Sequence, residues 1–597
     1  MKTKIQNLIK YAYCGVCVIV FFSCQKNLTQ FQTTKNLNKS GIATDTLARV
    51  AHAEGESVVI DTTKSTMHHT VSLLSTKNSY FNQKVHEKML SYYTSNGTKT
   101  KWLTNVAPNN LYYALLDQLK NSPHYGLRSE DYDVVGIEEQ VTSIYKKEVV
   151  SLTEVADLDI RITEIFFLFT THLMDGKVRS AGHGNTIWML QPKESSNMDV
   201  SLLSEVNNAD QFTAAINQLQ PQSEQYLKLQ KALDYYRALE QTSNLAAAPA
   251  ISAKEKIKPE ERHAVIPFIR KKLSLTDNKV YNATVVDTIT CATDSLLYNS
   301  DLADAVKLFQ EKCGLDPDGI IGERTMKFLN QSFKEKADLI ALNMERIKWL
   351  PENYGDNYIV VNVPEFKLRV FEDQKQELEM NVIVGAPNKP TPIFNDVLEH
   401  IVFSPTWTVP NSIIKEEIIP RLKKDPAYYA QKNYSFYKNE TVIDPANESW
   451  SDESLNPYQY RVVQQPGPDN SLGLVKFLLK NSMSVYMHDT PNHSLFSHSY
   501  RALSHGCVRL NEPARFAEYL LRDQKGWKME RIQKSMNGSN TATIQLKKRY
   551  PVYIEYHTVW VDENNKINFR EDIYGHDKQQ LQQLYPMEKV SSTLARL

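Results

Sequence analysis

Tyr486-Met487-His488-Asp489-Thr490-Pro491 and, further on, Leu503-Ser504-His505-Gly506-Cys507-Val508-Arg509-Leu510-Asn511 form the stretch on which the reading of this 597-residue sequence turns. A cysteine nucleophile needs its thiolate, and a free thiol with pKa about 8.5 is only a few per cent ionised at neutral pH. A neighbouring histidine can take the proton and return it to a leaving amine. Met487-His488 closes a strand-like run, so His488 is expected at a strand end. Gly506 lets the backbone approach a reacting carbonyl, and the amides around Gly506 and Cys507 are candidates for an oxyanion hole. A lone cysteine is more often a small buried hydrophobe, but a preceding glycine and two nearby histidines favour the nucleophile. His505 is open between support of the site, the base itself and packing. Arg509 is open between binding a substrate carboxylate as a fork and a structural ion pair. His488, His505 and Cys507 are also zinc-ligand types, but the C-x2-C and H-x3-H spacings of structural zinc are absent, so no metal is expected.

On either side of this stretch the chain reads as β-structure. Tyr358-Ile359-Val360-Val361-Asn362-Val363, Phe366-Lys367-Leu368-Arg369-Val370-Phe371, Met380-Asn381-Val382-Ile383-Val384-Gly385 and Val552-Tyr553-Ile554-Glu555-Tyr556 are rich in β-branched and aromatic residues. Residues 411–470 interrupt this pattern. They open on an amphipathic stretch (Ile413, Ile414, Ile418, Ile419 and Leu422 against Lys415, Glu416, Glu417, Lys423 and Lys424) and continue as an Asn/Pro/Tyr-rich segment. An insertion that long is expected to be a lid, with a solvated insertion packed on the domain edge as the other reading.

The string H-x15-S-H-G-C-V-R-L-N resembles the signature of the L,D-transpeptidase catalytic domain, with the likeness extending over 357–556. The resemblance implies a β-sandwich-type fold, Cys507 as nucleophile and His488 as base. It also implies an imidazole oriented by the Asp489 carbonyl. Ser504, His505 and Gly506 would support the site, and Tyr486, Trp407, Arg509 and Asn511 would bind substrate. No cofactor is implied. The expected reaction is attack of Cys507 after the third residue of a tetrapeptide stem, loss of D-Ala, and capture of the thioester by a second stem to give a 3→3 cross-link. Hydrolysis of the same thioester (an L,D-carboxypeptidase) and attachment of an envelope protein to peptidoglycan are the alternatives.

Upstream lies a smaller module, 264–332. Ala305-Val306-Lys307-Leu308-Phe309-Gln310, then Asp318-Gly319-Ile320-Ile321-Gly322 and Thr325, read as helix, turn and helix. This pattern resembles the peptidoglycan-binding-domain-1 family, which implies contact with the wall. Residues 245–263 read as a linker. Residues 76–245 read as a helical scaffold, with Ile162, Ile165, Phe166, Phe169 and Leu173 on one helical face. Helical scaffold, binding module and catalytic domain with a capping insertion together resemble the large periplasmic subgroup, a multidomain α+β chain. Residues 557–597 are left as a C-terminal extension.

Lys2, Lys4 and Lys10 followed by an apolar run from Tyr11 to Ser23 read as a secretory leader over 1–24. The run is shorter than the roughly 20 residues a membrane span needs. Its end at Phe21-Phe22-Ser23-Cys24 resembles a bacterial lipoprotein processing site, with Cys24 lipidated. A plain cleaved leader and an uncleaved anchor are the other readings. Residues 25–75, polar and aperiodic, are expected to be a tether, and the location to be the cell envelope, in the periplasm. Of the six cysteines, three lie in the leader; Cys291 and Cys313 either pair or lie buried, and Cys507 is left over. Lys+Arg and Asp+Glu both number 69. A zero balance argues against nucleic acid as a partner, which takes a basic surplus. Peptidoglycan stem peptides and glycan, and a membrane through the leader, are the partners expected.

Overall fold

The computed structural model describes residues 56–59, 79–96, 99–178, 188–190, 197–243, 245, 248–249, 251–252, 254–276, 294–429, 432–450 and 456–586. The leader, Cys24, Cys291, most of 25–75 and the end of the extension lie outside the described residues.

The N-terminal part is helical: α1 (Ser79–Asn96), α2 (Asn110–Lys120), α3 (Val134–Tyr145), α4 (Leu152–Asp175), α5 (Met198–Glu205), α6 (Ala209–Leu219) and α7 (Glu224–Thr242). Helix α4 starts where the Ser151 side chain accepts from the Glu154 N–H, satisfying one orphan donor of the first turn. It buries the apolar stripe read from the sequence, with Phe166, Phe167, Phe169 and Leu173 fully enclosed. A small hairpin-like sheet was not foreseen: β1 (Ser57–Val59), within the expected tether, pairs antiparallel with β2 (Lys99–Thr104). Three consecutive backbone N–H groups around β2, those of Lys101, Trp102 and Leu103, donate to the buried Asp159 carboxylate at 3.0, 2.8 and 2.9 Å. That carboxylate joins β2 to α4.

Within the expected scaffold, 76–245, the helices divide between two cores. Tyr226, Leu229, Leu233 and Tyr236 of α7 share a core with the rest of the chain, whereas α1–α6 enclose their own. The expected linker is also partly structured, because Ile257 bridges to Ile321 and is buried. The small module consists of α8 (Ile266–Thr276), α9 (Ser300–Lys312) and α10 (Glu323–Asn330). Cys313 is buried, and Cys291 lies outside the described residues.

Helix α11 (Phe333–Ile347) opens on a capping box between Ser332 and Glu335. It binds the parts together through buried polar residues. Asn343 exchanges hydrogen bonds with Thr558, Arg346 pairs with Asp577 at 2.7 Å, and Glu345 accepts from the Val178 N–H at 2.7 Å.

The catalytic-domain region is built on nine strands: β3 (Asn357–Asn362), β4 (Lys367–Glu372), β5 (Lys375–Gly385), β6 (Phe394–Phe403), β11 (Val475–Leu479), β12 (Met487–His488), β13 (Ala502–Ser504), β14 (Val508–Leu510) and β15 (Ala542–Glu555). Their order is β13-β5-β14-β12-β11-β6-β15-β3-β4, and β4 also pairs with β5, which closes the sheet on itself. The inner face carries the core: Val361, Leu368, Val382, Ile401, Phe477, Met487, Val508 and Ile554 are buried.

Between β6 and β11 the insertion forms a four-stranded sheet of β7 (Trp407–Thr408), β10 (Tyr460–Gln464), β8 (Tyr434–Lys438) and β9 (Thr441–Ile443). Between β7 and β8 runs a helix over 411–424 whose middle turn, Ile414–Ile418, is π-helical. Ile413, Ile414, Ile418 and Leu422 pack with Phe436, Trp450 and Val462 into a core of the cap's own. The cap is thus a folded subdomain that begins at Trp407, four residues before the expected boundary at 411. Its Asn/Pro/Tyr-rich composition concealed the strands.

The extension from 557 is described to residue 586. It forms a hairpin of β16 (Val559–Val561) and β17 (Ile567–Phe569) and a final helix, His576–Leu584.

Candidate active site

Strand register builds the site. β12 pairs parallel with β14, Met487 opposite Val508 and His488 opposite Arg509. Successive side chains alternate between faces. Met487 and Val508 point into the core and are fully buried. Tyr486, His488, Cys507 and Arg509 therefore share the other face. Continuing the register by one residue sets Cys507 opposite Tyr486, so the thiol is diagonal to the imidazole. At about 4.8 Å between strands and 3.3 Å per residue, their Cα atoms are about 8 Å apart, within reach of a cysteine and an inclined imidazole. On the far side of β12, Lys476 of β11 stands opposite His488 and joins the same face.

His488 is buried, and its Nδ1 lies 2.5 Å from the Asp489 carbonyl oxygen, as the resemblance implied. A carbonyl only accepts, so Nδ1 carries the hydrogen and Nε2 the lone pair. Burial, with Arg509 and Lys476 adding to it, pushes the imidazole pKa down to about 3, against the opposing pull of the Asp489 and Leu472 carbonyls. Burial likewise pushes the Cys507 thiol up, offset in part by hydrogen bonding to Tyr486 and by the Arg509 and Lys476 charges. The resting pair is therefore neutral thiol and neutral imidazole. The Cys507 Sγ also lies 3.9 Å from the Ser484 carbonyl oxygen.

The Asp489 carboxylate accepts from the Leu474 N–H at 2.8 Å and lies 3.2 Å from His493 Nε2. His493, expected to be a surface residue, thus supports this loop although about half its side chain is exposed. Gly473 has φ +62°, and a Cβ there would stand 2.4 Å from the Asp489 carboxyl carbon. Only glycine fits so close to the carboxylate that holds the loop.

The Ser504-His505-Gly506-Cys507 turn is tied internally. Ser504 Oγ donates to the Cys507 carbonyl at 2.6 Å and accepts from the Gly506 N–H at 3.1 Å. The expectation that the Gly506 amide contributes to an oxyanion hole needs correction, since Ser504 already engages it. The Cys507 N–H meets no such partner among the described residues. Gly506 has φ +113°, which glycine tolerates, and its carbonyl accepts from Thr391 Oγ1 at 2.8 Å. Thr391 Oγ1 in turn accepts from the Gly385 N–H at 2.8 Å. Tyr574 of the extension completes this brace, its hydroxyl donating to the Gly385 carbonyl at 2.7 Å and accepting from the Thr391 N–H at 3.1 Å.

His505 is engaged by the cap. Its Nε2 lies 2.5 Å from Glu417 Oε1 on the cap helix, and the neighbouring Glu416 pairs with Lys389 at 2.7 Å. The His505 Nε2 is thereby committed to Glu417, whereas strand register sets His488 beside Cys507. Trp407 of β7 reaches the site, its side chain hydrogen-bonding that of Tyr486, which also bonds Cys507. Arg509 faces the site with no ion pair among the described residues and a buried Nε that has no hydrogen-bond partner. Asn511 differs. Its backbone N–H is tied to the Asn381 carbonyl, and it stands four residues, about 13 Å, along the strand from Cys507.

Residues missed by sequence reasoning are Lys476, Thr391, Lys389 and Tyr574. Lys476 alone carried a local signal, as the polar residue between buried Val475 and Phe477.

Comparison with known proteins gives three family-model matches: "L,D-transpeptidase catalytic domain" over 356–554, "Scaffold domain" over 87–233 and "Putative peptidoglycan binding domain" over 292–329. A Haemophilus influenzae protein named "Putative L,D-transpeptidase" is 38% identical over 242 residues, 40% of this chain and 48% of its own length. The chain thus spans about half of that relative. Among solved structures, an L,D-transpeptidase from Mycobacterium smegmatis is similar at 14% identity and TM-score 0.17, over 34% of this chain and 58% of that one. An L,D-transpeptidase from Xylanimonas cellulosilytica is similar at 11% identity and TM-score 0.16, over 51% of this chain and 100% of that one. At such scores the structural likeness adds nothing to the family match.

Proposed function

We propose that this chain, whose residues 356–554 match the L,D-transpeptidase catalytic domain, is a peptidoglycan transpeptidase that forms 3→3 cross-links through a thioester on Cys507. The observation that carries the reading is the register of β12 against β14, which puts Cys507 and His488 on one strand face with the imidazole held as the Nδ1–H tautomer.

In the first step Cys507 Sγ attacks the carbonyl of the third stem residue while His488 Nε2 takes the thiol proton. The oxyanion forms where the Cys507 N–H can donate to it. Collapse of the intermediate breaks the bond to D-Ala, whose nitrogen receives the proton from His488. In the second step the side-chain amine of another stem attacks the thioester, His488 accepts its proton, and the thiol returns. No metal or organic cofactor enters either step.

Hydrolysis of the thioester, giving an L,D-carboxypeptidase, is the second reading. The cap favours aminolysis over it, because Trp407 on Tyr486 and the Glu417–His505 pair tie the cap to residues beside the thiol, and excluding water protects a thioester. The leader read in residues 1–24 supports export and tethering through Cys24, and the module matched at 292–329 supports contact with the wall. The test is mass spectrometry of purified tetrapeptide muropeptides after incubation with the protein. Dimers lacking one D-Ala support the transpeptidase, tripeptides alone support the carboxypeptidase, and unchanged tetrapeptides contradict both.

A further inference from the structure

Three strands present one row of side chains: Lys476 on β11, His488 on β12 and Arg509 on β14, each opposite the next. The imidazole is therefore flanked by a cation on each side. Lys476 Nζ stands 5.7 Å from the centre of the Tyr486 ring, whose hydroxyl bonds Cys507. Neither cation forms an ion pair with a described carboxylate. The nearest acid in sequence, Asp489, turns its carboxylate to the Leu474 N–H and His493. Arg509 Nε is buried without a partner.

Two half-buried cations without counterions are costly to maintain. They also work against the base, since both charges disfavour the imidazolium that forms when His488 takes the thiol proton. An arrangement that burdens the resting site in this way is matched to an anion that arrives with the substrate.

The donor brings such an anion to this place. An enzyme that removes the last residue of a peptide must recognise a chain end one residue beyond the scissile bond. The carboxyl carbon of that residue is separated from the leaving nitrogen by one Cα, about 2.5 Å away. A cation that reads the chain end must therefore stand beside the nucleophile and base, as Lys476 and Arg509 do.

Resting on the transpeptidase reading above, we propose that Lys476 is a specificity-determining residue which, together with Arg509, holds the terminal carboxylate of the departing residue of the donor stem. The carboxylate neutralises the row as the donor binds, which relieves the repulsion on His488 at the moment it must accept a proton. The site thereby selects stems that end one residue after the attacked carbonyl and rejects longer or amidated ones.

The test uses the full chain and two tetrapeptide muropeptide donors, one with a free C-terminal carboxylate and one with a C-terminal carboxamide. Release of D-Ala or D-alaninamide is followed for the wild type, Lys476→Met and Lys476→Arg, with Lys476→Gln replacing the methionine variant if that does not fold. Alkylation of Cys507 by neutral iodoacetamide confirms that the thiol remains reactive in each variant. The wild type is expected to prefer the free acid. Lys476→Met should lose roughly tenfold or more in kcat/KM on the acid, mostly through KM, with little change on the amide. Lys476→Arg should restore the preference, because it keeps the charge. Unchanged discrimination in Lys476→Met overturns the proposal. Equal losses on both donors also overturn it, by making Lys476 a partner of the thiolate instead. A wild type that releases nothing from either donor overturns the transpeptidase reading itself, and this inference with it.

Discussion

His488 and Arg509 stand opposite one another in a parallel pair of strands, and this register is what sets Cys507 diagonal to the imidazole. A slip of one residue would turn Cys507 into the core and Val508 to the site.

The electrostatics of this face lead to a pH prediction. With the imidazole pKa lowered by burial to about 3, His488 is neutral throughout the neutral range and no inflection from it belongs near pH 6.5. The thiol pKa is raised by burial, so iodoacetamide alkylation of Cys507 should climb with pH and reach its midpoint above the ordinary thiol value. The sign for stability follows from the same shift. The unfolded chain takes the His488 proton at higher pH than the folded one, so this residue's contribution is lost as pH falls from about 6.5 towards 3. Denaturant melts of His488→Gln should show a weaker loss over that window than the wild type. A steeper loss would contradict the assignment.

Tyr574→Phe should disturb the site from the far end of the chain. It removes one hydroxyl that serves both the Gly385 carbonyl and the Thr391 N–H, leaving two buried groups unpaired. A stability loss of about 1–3 kcal/mol is expected, together with a kcat several-fold lower because Thr391 holds the Gly506 carbonyl. Calorimetry and muropeptide turnover read the two effects. Wild-type turnover would show that the brace does not position the nucleophile turn.

The cap is held by charges at its rim. Glu416→Gln with Glu417→Gln removes the pairs to Lys389 and His505, which are largely exposed. Stability should change by less than about 1 kcal/mol, while products shift from dimers towards hydrolysed tripeptide as water reaches the thioester. An unchanged dimer-to-tripeptide ratio would mean that the cap's rim does not control access.

Asp159→Ala should be among the more damaging changes in the scaffold. It strips the acceptor from three backbone N–H groups of residues 101–103, and a loss of roughly 3 kcal/mol or more is expected from unpaired buried donors. The thermal unfolding of the variant checks this; a change under about 1 kcal/mol would contradict the role given to Asp159.

The residues legible in the sequence were those whose chemistry is written locally. His488, Ser504, Gly506 and Cys507 lie within one short motif, and the α4 stripe follows a single helical period. What escaped depends on pairing between distant segments. Glu417 meets His505 across 88 positions and Tyr574 meets Gly385 across 189, and no local pattern encodes either. Lys476 was visible as a polar residue within an apolar run, but its place beside His488 follows from β11 pairing with β12. The cap's strands were hidden because Tyr434, Phe436, Tyr460 and Val462 alternate inside a segment dense in Asn, Pro and Tyr. Helix α11 lay between the regions that carried motifs, and its buried polar side chains find their partners in the extension.

The most direct measurement is the intact mass of the protein quenched shortly after mixing with a tetrapeptide muropeptide, followed by mapping of the modified peptide. The account predicts an added mass equal to the donor minus D-Ala, located on Cys507, released by a nucleophilic amine and absent from Cys507→Ala. An adduct on another residue, or one that persists in folded Cys507→Ala, would contradict it.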